Sequence, residues 1–200
     1  MSVEAPSGLP DLLRQIRACT VCSEVLPLGP RPVLQAGTGA RLLVIGQAPG
    51  RRVHETGVPW NDASGERLRE WLGLEAIRFY DPECVALLPM GLCYPGATPG
   101  AGDKPPRPEC APLWHRRVLS ALPAVKLTLL VGSYAQAAYL AKPRALSMTQ
   151  AVQQFRAALP THFPLPHPSW RSTGWMRSNP WFESEVLPVL RQHVQDALDS

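Results

Sequence analysis

Four short apolar runs, each stopped at a glycine or a proline, restrict this 200-residue chain to few architectures. Arg41 to Ile45 (RLLVI) halts at Gly46, Glu83 to Leu88 (ECVALL) at Pro89, and Lys126 to Val131 (KLTLLV) at Gly132. Phe163 to Leu165 is a shorter run of the same kind. Such runs read as buried strands. Helical spacing falls around them: Leu9–Ala18 (Leu9, Leu12, Leu13, Ile16), Ala63–Leu72 with Asp62 or Ser64 as N-cap, Pro112–Leu122, Ser133–Leu140 and Glu183–Leu198. Strand and helix in alternation predict an α/β fold, a mostly parallel sheet with helices on both faces. Ligands of such folds bind beyond the carboxyl ends of the strands. Gly46–Gly50, Pro89–Cys93, Gly132–Tyr134 and His167–Arg171 should therefore share one rim. The length suits one domain spanning 1–200.

Four cysteines stand in two distant pairs, Cys19 and Cys22 as C-x2-C, then Cys93 and Cys110 with sixteen residues between them. The start of the chain has no apolar core of a secretory signal, so the expected compartment is the cytoplasm. There, a C-x2-C pair favours metal binding over a disulfide. Thiolates suit either zinc or an iron–sulfur cluster, and the cysteines alone do not choose. Cys84, inside a strand-like run, reads as a buried thiol without a role. Twenty-three prolines concentrate in Leu26–Pro32, Tyr94–Pro108 and Leu159–Pro168, where they favour turns and extended backbone. The Tyr94–Pro108 loop is too long for a plain connector and is bracketed by Cys93 and Cys110, so a metal would clip it shut.

No apolar stretch approaches the ~18 residues of a membrane span. A net charge of +4 and a pI of about 9.0 lean toward a polyanionic partner. The positive residues are partly local: Arg51 and Arg52, then His115, Arg116 and Arg117, then Arg171 and Arg177 around Trp175.

Three segments could carry chemistry. Gly46-Gln47-Ala48-Pro49-Gly50 lets backbone approach a ligand closely. It is neither a P-loop, lacking G-K-[ST], nor a dinucleotide fingerprint, since Pro49 breaks the pattern. In Thr56–Gly65 (TGVPWNDASG), Trp60 offers a flat face for stacking a base or packs on the core. Asp62 reads first as a helix cap and second as a holder of water. In His167-Pro168-Ser169-Trp170-Arg171, the histidine suits an anion or keto oxygen, while Ser169 and Arg171 suit a phosphate backbone. His54 and Glu55 lie between the first two segments, within reach of the same pocket.

Taken in order, C-x2-C, G-Q-A-P-G, T-G-V-P-W-N-D-A-S-G, C-x16-C and H-P-S-W-R resemble the uracil-DNA glycosylase superfamily, in particular its iron–sulfur branches, families 4 and 5. The resemblance runs from the Cys19 region to Arg171. It implies a three-layer α/β/α sandwich on a central four-stranded sheet, and a [4Fe–4S] cluster on Cys19, Cys22, Cys93 and Cys110 with a structural role. It implies that Gly46, Gln47, Ala48, Pro49 and Gly50 contact the base and position water. Trp60 stands where the family stacks a phenylalanine on the base. His167 matches the histidine that supports charge on the departing base, and Arg171 lies in the loop that wedges into the duplex.

The chain also departs from the wider pattern. Ala48 stands where other branches have a catalytic aspartate or asparagine, and Pro89 stands near the position of the asparagine that reads uracil. Both changes are similar to family 5, whose D-A-S-G aspartate matches Asp62. The resemblance thus raises Asp62 from cap to leading catalytic candidate. The implied activity is hydrolysis of the N-glycosidic bond of uracil or another damaged base in DNA, by a monomer. The rivals are a lesion binder that does not cut, a covalent relative that links to uracil-DNA through a histidine, and a zinc-stabilised hydrolase of small nucleosides.

Overall fold

The computed structural model describes residues 8–100, 102–140 and 146–200. The first seven residues, on which the reading of the N-terminus partly rests, and Ala101 of the proline-rich loop lie outside that set. Four parallel strands form the central sheet in the order β2-β1-β5-β6: β1 (Leu42–Ile45), β2 (Val85–Leu87), β5 (Leu127–Val131) and β6 (His162–Leu165). The strands β3 (Ala97–Thr98) and β4 (Gly102–Asp103) make a small antiparallel hairpin inside the proline-rich loop. The helices are α1 (Leu9–Arg17), α2 (Arg51–Thr56), α3 (Ala63–Leu72), α4 (Ala76–Phe79), α5 (Arg116–Ser120), α6 (Ser133–Tyr139), α7 (Met148–Gln153), α8 (Ser172–Ser178) and α9 (Leu187–Asp199). The helical stretches expected at Pro112–Leu122 and Glu183–Leu198 each open with a wider π turn, Ala111–His115 and Phe182–Val186.

The apolar runs behave as two-sided strands. Along β1, Leu42 and Val44 point into one core and Leu43 and Ile45 into the other. The first core packs α3, α9 and the π turn before α9 against the sheet through Leu68, Trp71, Leu190 and Phe182. The second packs α1 and α5 through Leu12, Leu13, Ile16 and Val118. Helices therefore cover both faces, as the alternation requires. Phe79, Phe163 and Phe182 are fully buried, and truncating any one to alanine costs about 3–5 kcal/mol. The free edge of β2 is covered by Gln35, whose backbone bonds to Leu87 in both directions and whose amide donates to Phe79 O and Val85 O.

In this sheet the chain runs from β1 outward to β2, then crosses back to β5 on the other side of β1. That reversal leaves a crevice beyond the carboxyl ends of β1 and β5. Gly46 follows β1 directly, Gly132 follows β5, and His167 lies two residues beyond β6.

Candidate active site

A pocket opens at this crevice. It is lined by Gly46, Gln47, Ala48, Pro49 and Gly50 after β1, by Pro59, Trp60 and Asp62 ahead of α3, by Pro89 after β2, and by His167 after β6. Val33, Val53 and Asp103 complete the wall. All three motifs of the sequence thus meet in one cavity, together with the residue that follows the second strand.

Trp60 is held in an unusual conformation. Its φ is 57°, in the left-handed region where bulky residues are rare. Two contacts hold it there. The Tyr80 hydroxyl donates to Trp60 O at 3.1 Å and itself accepts from Arg69 at 3.0 Å. The first turn of α3 also closes on the same carbonyl, since a Cβ on Gly65 would lie 1.7 Å from Trp60 O. Only glycine permits that approach. The indole then lies over Gly46, where a Cβ would stand 2.7 Å from the ring, and stacks on the His167 imidazole at 5.7 Å between centroids and 30° between planes. Strain of this sort, about 1–3 kcal/mol, persists where the surroundings fix it, and such positions gather at functional sites.

The two sequence readings of Asp62 prove compatible because they use different oxygens. Oδ1 caps α3, accepting from Gly65 N at 2.9 Å. Oδ2 faces the pocket, 3.7 Å from where a Gly50 side chain would begin. Ser64, the other N-cap considered, lies within the first turn of the helix. His167 is fixed by its neighbours: its Cβ packs against Gly132, and its carbonyl accepts from the Ser172 hydroxyl. Burial lowers its pKa, against an opposing pull from the Asp62 carboxylate. A neutral imidazole at pH 7 can donate one N–H without bringing a charge.

Behind the pocket, His115 is buried at 3% exposure. Its Nε2 meets Pro89 O at 3.1 Å and its Nδ1 meets the Tyr139 hydroxyl. A carbonyl only accepts, so Nε2 carries the proton and Nδ1 accepts from the hydroxyl. The residue seen in sequence as part of a basic cluster is therefore an internal strut under Pro89. His54 also differs from expectation. It is buried toward Tyr94, with Nδ1 unpartnered among the described residues, and does not line the pocket, while Glu55 is exposed and pairs with Arg51.

At the loop that follows β6, Ser169 O accepts from Arg67 at 2.8 Å. The Arg171 guanidinium folds back onto the Trp170 ring and onto Gly102 of the hairpin. Trp170 itself stands out at 76% exposure. Sequence reasoning passed over it in favour of Arg171, although a tryptophan between two polar residues in a loop was a visible signal.

Cys19, Cys22, Cys93 and Cys110 line a second cavity with Leu26, Pro30, Pro32, Leu92, Arg107 and Trp114. Burial pushes the Cys93 thiol up to about 12, a backbone hydrogen bond from Arg31 opposes this, and the other three cysteines add to the rise. Backbone at Leu92 bonds to Cys110. Among the described residues no three His, Cys, Asp or Glu side chains gather closely enough for a single metal ion. The four thiols line a shared, largely apolar space, and Cys93 and Cys110 accept hydrogen bonds from the backbone of Arg31 and Leu92, a donor set whose chemistry fits either zinc or an iron–sulfur cluster. Cys84 stands apart, half-buried and bonded to Asp81 Oδ2 at 3.4 Å.

Residues 35–191 match the family model of the uracil DNA glycosylase superfamily, and the chain belongs to that superfamily. The match begins after Cys19 and Cys22. It covers the sheet, the Trp60–His167 pocket apart from Val33, and the second cysteine pair. No helix among the described residues is long and apolar enough to cross a membrane.

Proposed function

We propose that this protein is a DNA glycosylase that hydrolyses the N-glycosidic bond of uracil or another deaminated base, opening base excision repair in the cytoplasm. The observation that carries the reading is the convergence of Gly46–Gly50, Trp60, Asp62, Pro89 and His167 on one pocket. An enzyme working on a base must draw it from the stack, at a cost of a few kcal/mol. Trp170, exposed at the tip of the loop after β6, is the side chain best placed to fill the gap, with Ser169 and Arg171 beside it against the backbone. In the pocket the base lies against the Trp60 ring. As the bond breaks, negative charge grows on the base and positive charge on the sugar. The neutral His167 N–H offsets the first, and the free oxygen of Asp62 orients water and offsets the second.

The apolar Ala48 and Pro89 support a reading nearer family 5 than family 4, with a pocket that reads its base without the usual asparagine. Cys19, Cys22, Cys93 and Cys110 are the ligands for a [4Fe–4S] cluster, which supplies a structural clip between α1 and the proline-rich loop. The protein acts as one domain and as a monomer on DNA. Ala48 and Pro89 also favour a second reading, a lesion binder that does not cut. One assay separates the two: duplexes carrying uracil, hypoxanthine or xanthine are incubated with the protein, then cleaved at abasic sites with alkali. Strand breakage in at least one duplex is expected. Binding without breakage in all three would leave the binder.

A further inference from the structure

The proline-rich loop sends one polar side chain into the pocket, Asp103 at the end of the hairpin. Its Oδ2 lies 3.5 Å from the point where a Gly50 side chain would begin, and Asp62 Oδ2 lies 3.7 Å from the same point. Two carboxylates from distant segments therefore flank one spot beside the first glycine turn. The hairpin is fixed there by two contacts. Gln47 Nε2 donates to Lys104 O at 3.2 Å, and the Arg171 guanidinium packs 2.7 Å from the Cβ position of Gly102. None of the ion pairs among the described residues uses Asp103.

We propose that Asp103 is a further catalytic residue, the general base that takes the proton from the water oriented by Asp62; the inference rests on the glycosylase reading above. The water oxygen bonds to C1′ of the deoxyribose as the C1′–N bond breaks. The bonding pair leaves on the base nitrogen, facing the His167 N–H. The water proton passes to the Asp103 carboxylate and from there to the departing base or to solvent. No other reactant is needed.

The two carboxylates are not interchangeable. Asp62 gives one oxygen to the Gly65 N–H at the start of α3, so that carboxylate is tied to the helix it caps. Among the described residues Asp103 carries no such bond to a helix. Three titratable or charged groups face it: Asp62 ahead of α3, Arg171 after β6 and Tyr94 at the start of the loop. Partial desolvation and then the Asp62 carboxylate raise the Asp103 pKa, with Arg171 opposing. A carboxylate raised in this way is a better base near neutral pH.

The test is Asp103→Asn on whichever duplex the wild type cleaves, in single-turnover base release between pH 4.5 and 8, with a tetrahydrofuran abasic-site duplex as the binding probe. A rate lower by about 10²-fold or more is expected, with binding of the probe within twofold and an unchanged melting temperature. The fall in rate that the wild type shows on acidification should flatten in the variant. Asp103→Glu should recover part of the rate. An active wild type with an Asp103→Asn rate within twofold of it overturns this inference alone. A loss of rate matched by an equal loss of probe binding overturns it too, by making Asp103 a DNA contact. A wild type silent on every duplex overturns the glycosylase reading and this inference with it.

Discussion

The Trp60–His167 pocket and the cysteine cavity share two segments, around Pro32–Val33 and Pro89–Cys93, yet they are built in opposite ways. The pocket inherits its geometry from the sheet. Gly46 and His167 are carried on strand ends whose register is set by parallel ladders, and Asp62 is pinned by capping a helix. Removing a side chain there should leave the frame standing. The cysteine cavity has no such frame. Cys19 and Cys22 follow α1 in a run of turns, and Cys93 and Cys110 bracket a loop whose only ladder among the described residues is a two-by-two-residue hairpin. Three buried thiols and the half-buried Cys19 are a poor substitute for a core, so under the proposed cluster reading that corner would depend on the group they hold. One region is carried on strand ends; the other lies among loops outside the central sheet.

The contrast can be broken most sharply at Cys93. Cys93→Ser is expected to give a colourless protein without the iron–sulfur absorbance near 400 nm, and to lose several kcal/mol of stability, since a structural metal group contributes on that scale. A brown variant with wild-type melting would erase the distinction. His167→Ala should do the reverse. Base release falls by about 10²–10³-fold, equivalent to ~3–4 kcal/mol in the barrier, while the melting temperature stays within a few degrees of wild type. Unfolding of this variant would mean that the pocket, too, depends on its side chains.

Gly65→Ala probes how the pocket borrows from α3. The added Cβ lands on Trp60 O, so the Trp60 turn must move, at a cost of roughly 1–3 kcal/mol. Stability and base release should drop together; a variant with normal activity would show that the left-handed Trp60 is not needed. The smallest effect concerns His115. Its pKa is lowered by burial, with the Pro89 hydrogen bond opposing. The unfolded chain therefore takes up this proton near pH 6.5, before the folded one does. The stability it contributes is complete above that pH and is lost as pH falls below it, by up to about 1.4 kcal/mol per pH unit. His115→Gln, which keeps a donor for Pro89 O but cannot titrate, should melt with a shallower acid slope. Parallel slopes would remove His115 as a titrating strut.

The sheet was legible because its strands are buried on both sides. Apolar runs ending at Gly46, Pro89 and Gly132 leave little freedom in their placement. Helix α3 was legible to the residue, since Asp62 at its start and Gly73 after its end are strong boundary signals. The short helices α2, α4, α7 and α8 were not foreseen, because they span two turns or fewer and owe their form to packing rather than periodicity. In the site, residues of the three contiguous motifs could be read directly. Asp103 could not, because its place in the pocket depends on a hairpin folding back over Gln47, a contact 57 residues apart in sequence. His115 was misread for a similar reason: two arginines beside it suggested a surface cluster, whereas the turn of Ala111–His115 points the imidazole inward.

Asp62 caps α3 with one oxygen and, in the proposed mechanism, serves chemistry with the other. Asp62→Asn isolates the second task, because asparagine caps a helix about as well as aspartate. The measurement is single-turnover base release from the most readily cleaved damaged duplex, paired with thermal melting of the same variant. Melting like the wild type, with base release slowed by about 10²-fold or more, is the predicted result. Base release at the wild-type rate would contradict it, and would reduce Asp62 to a cap.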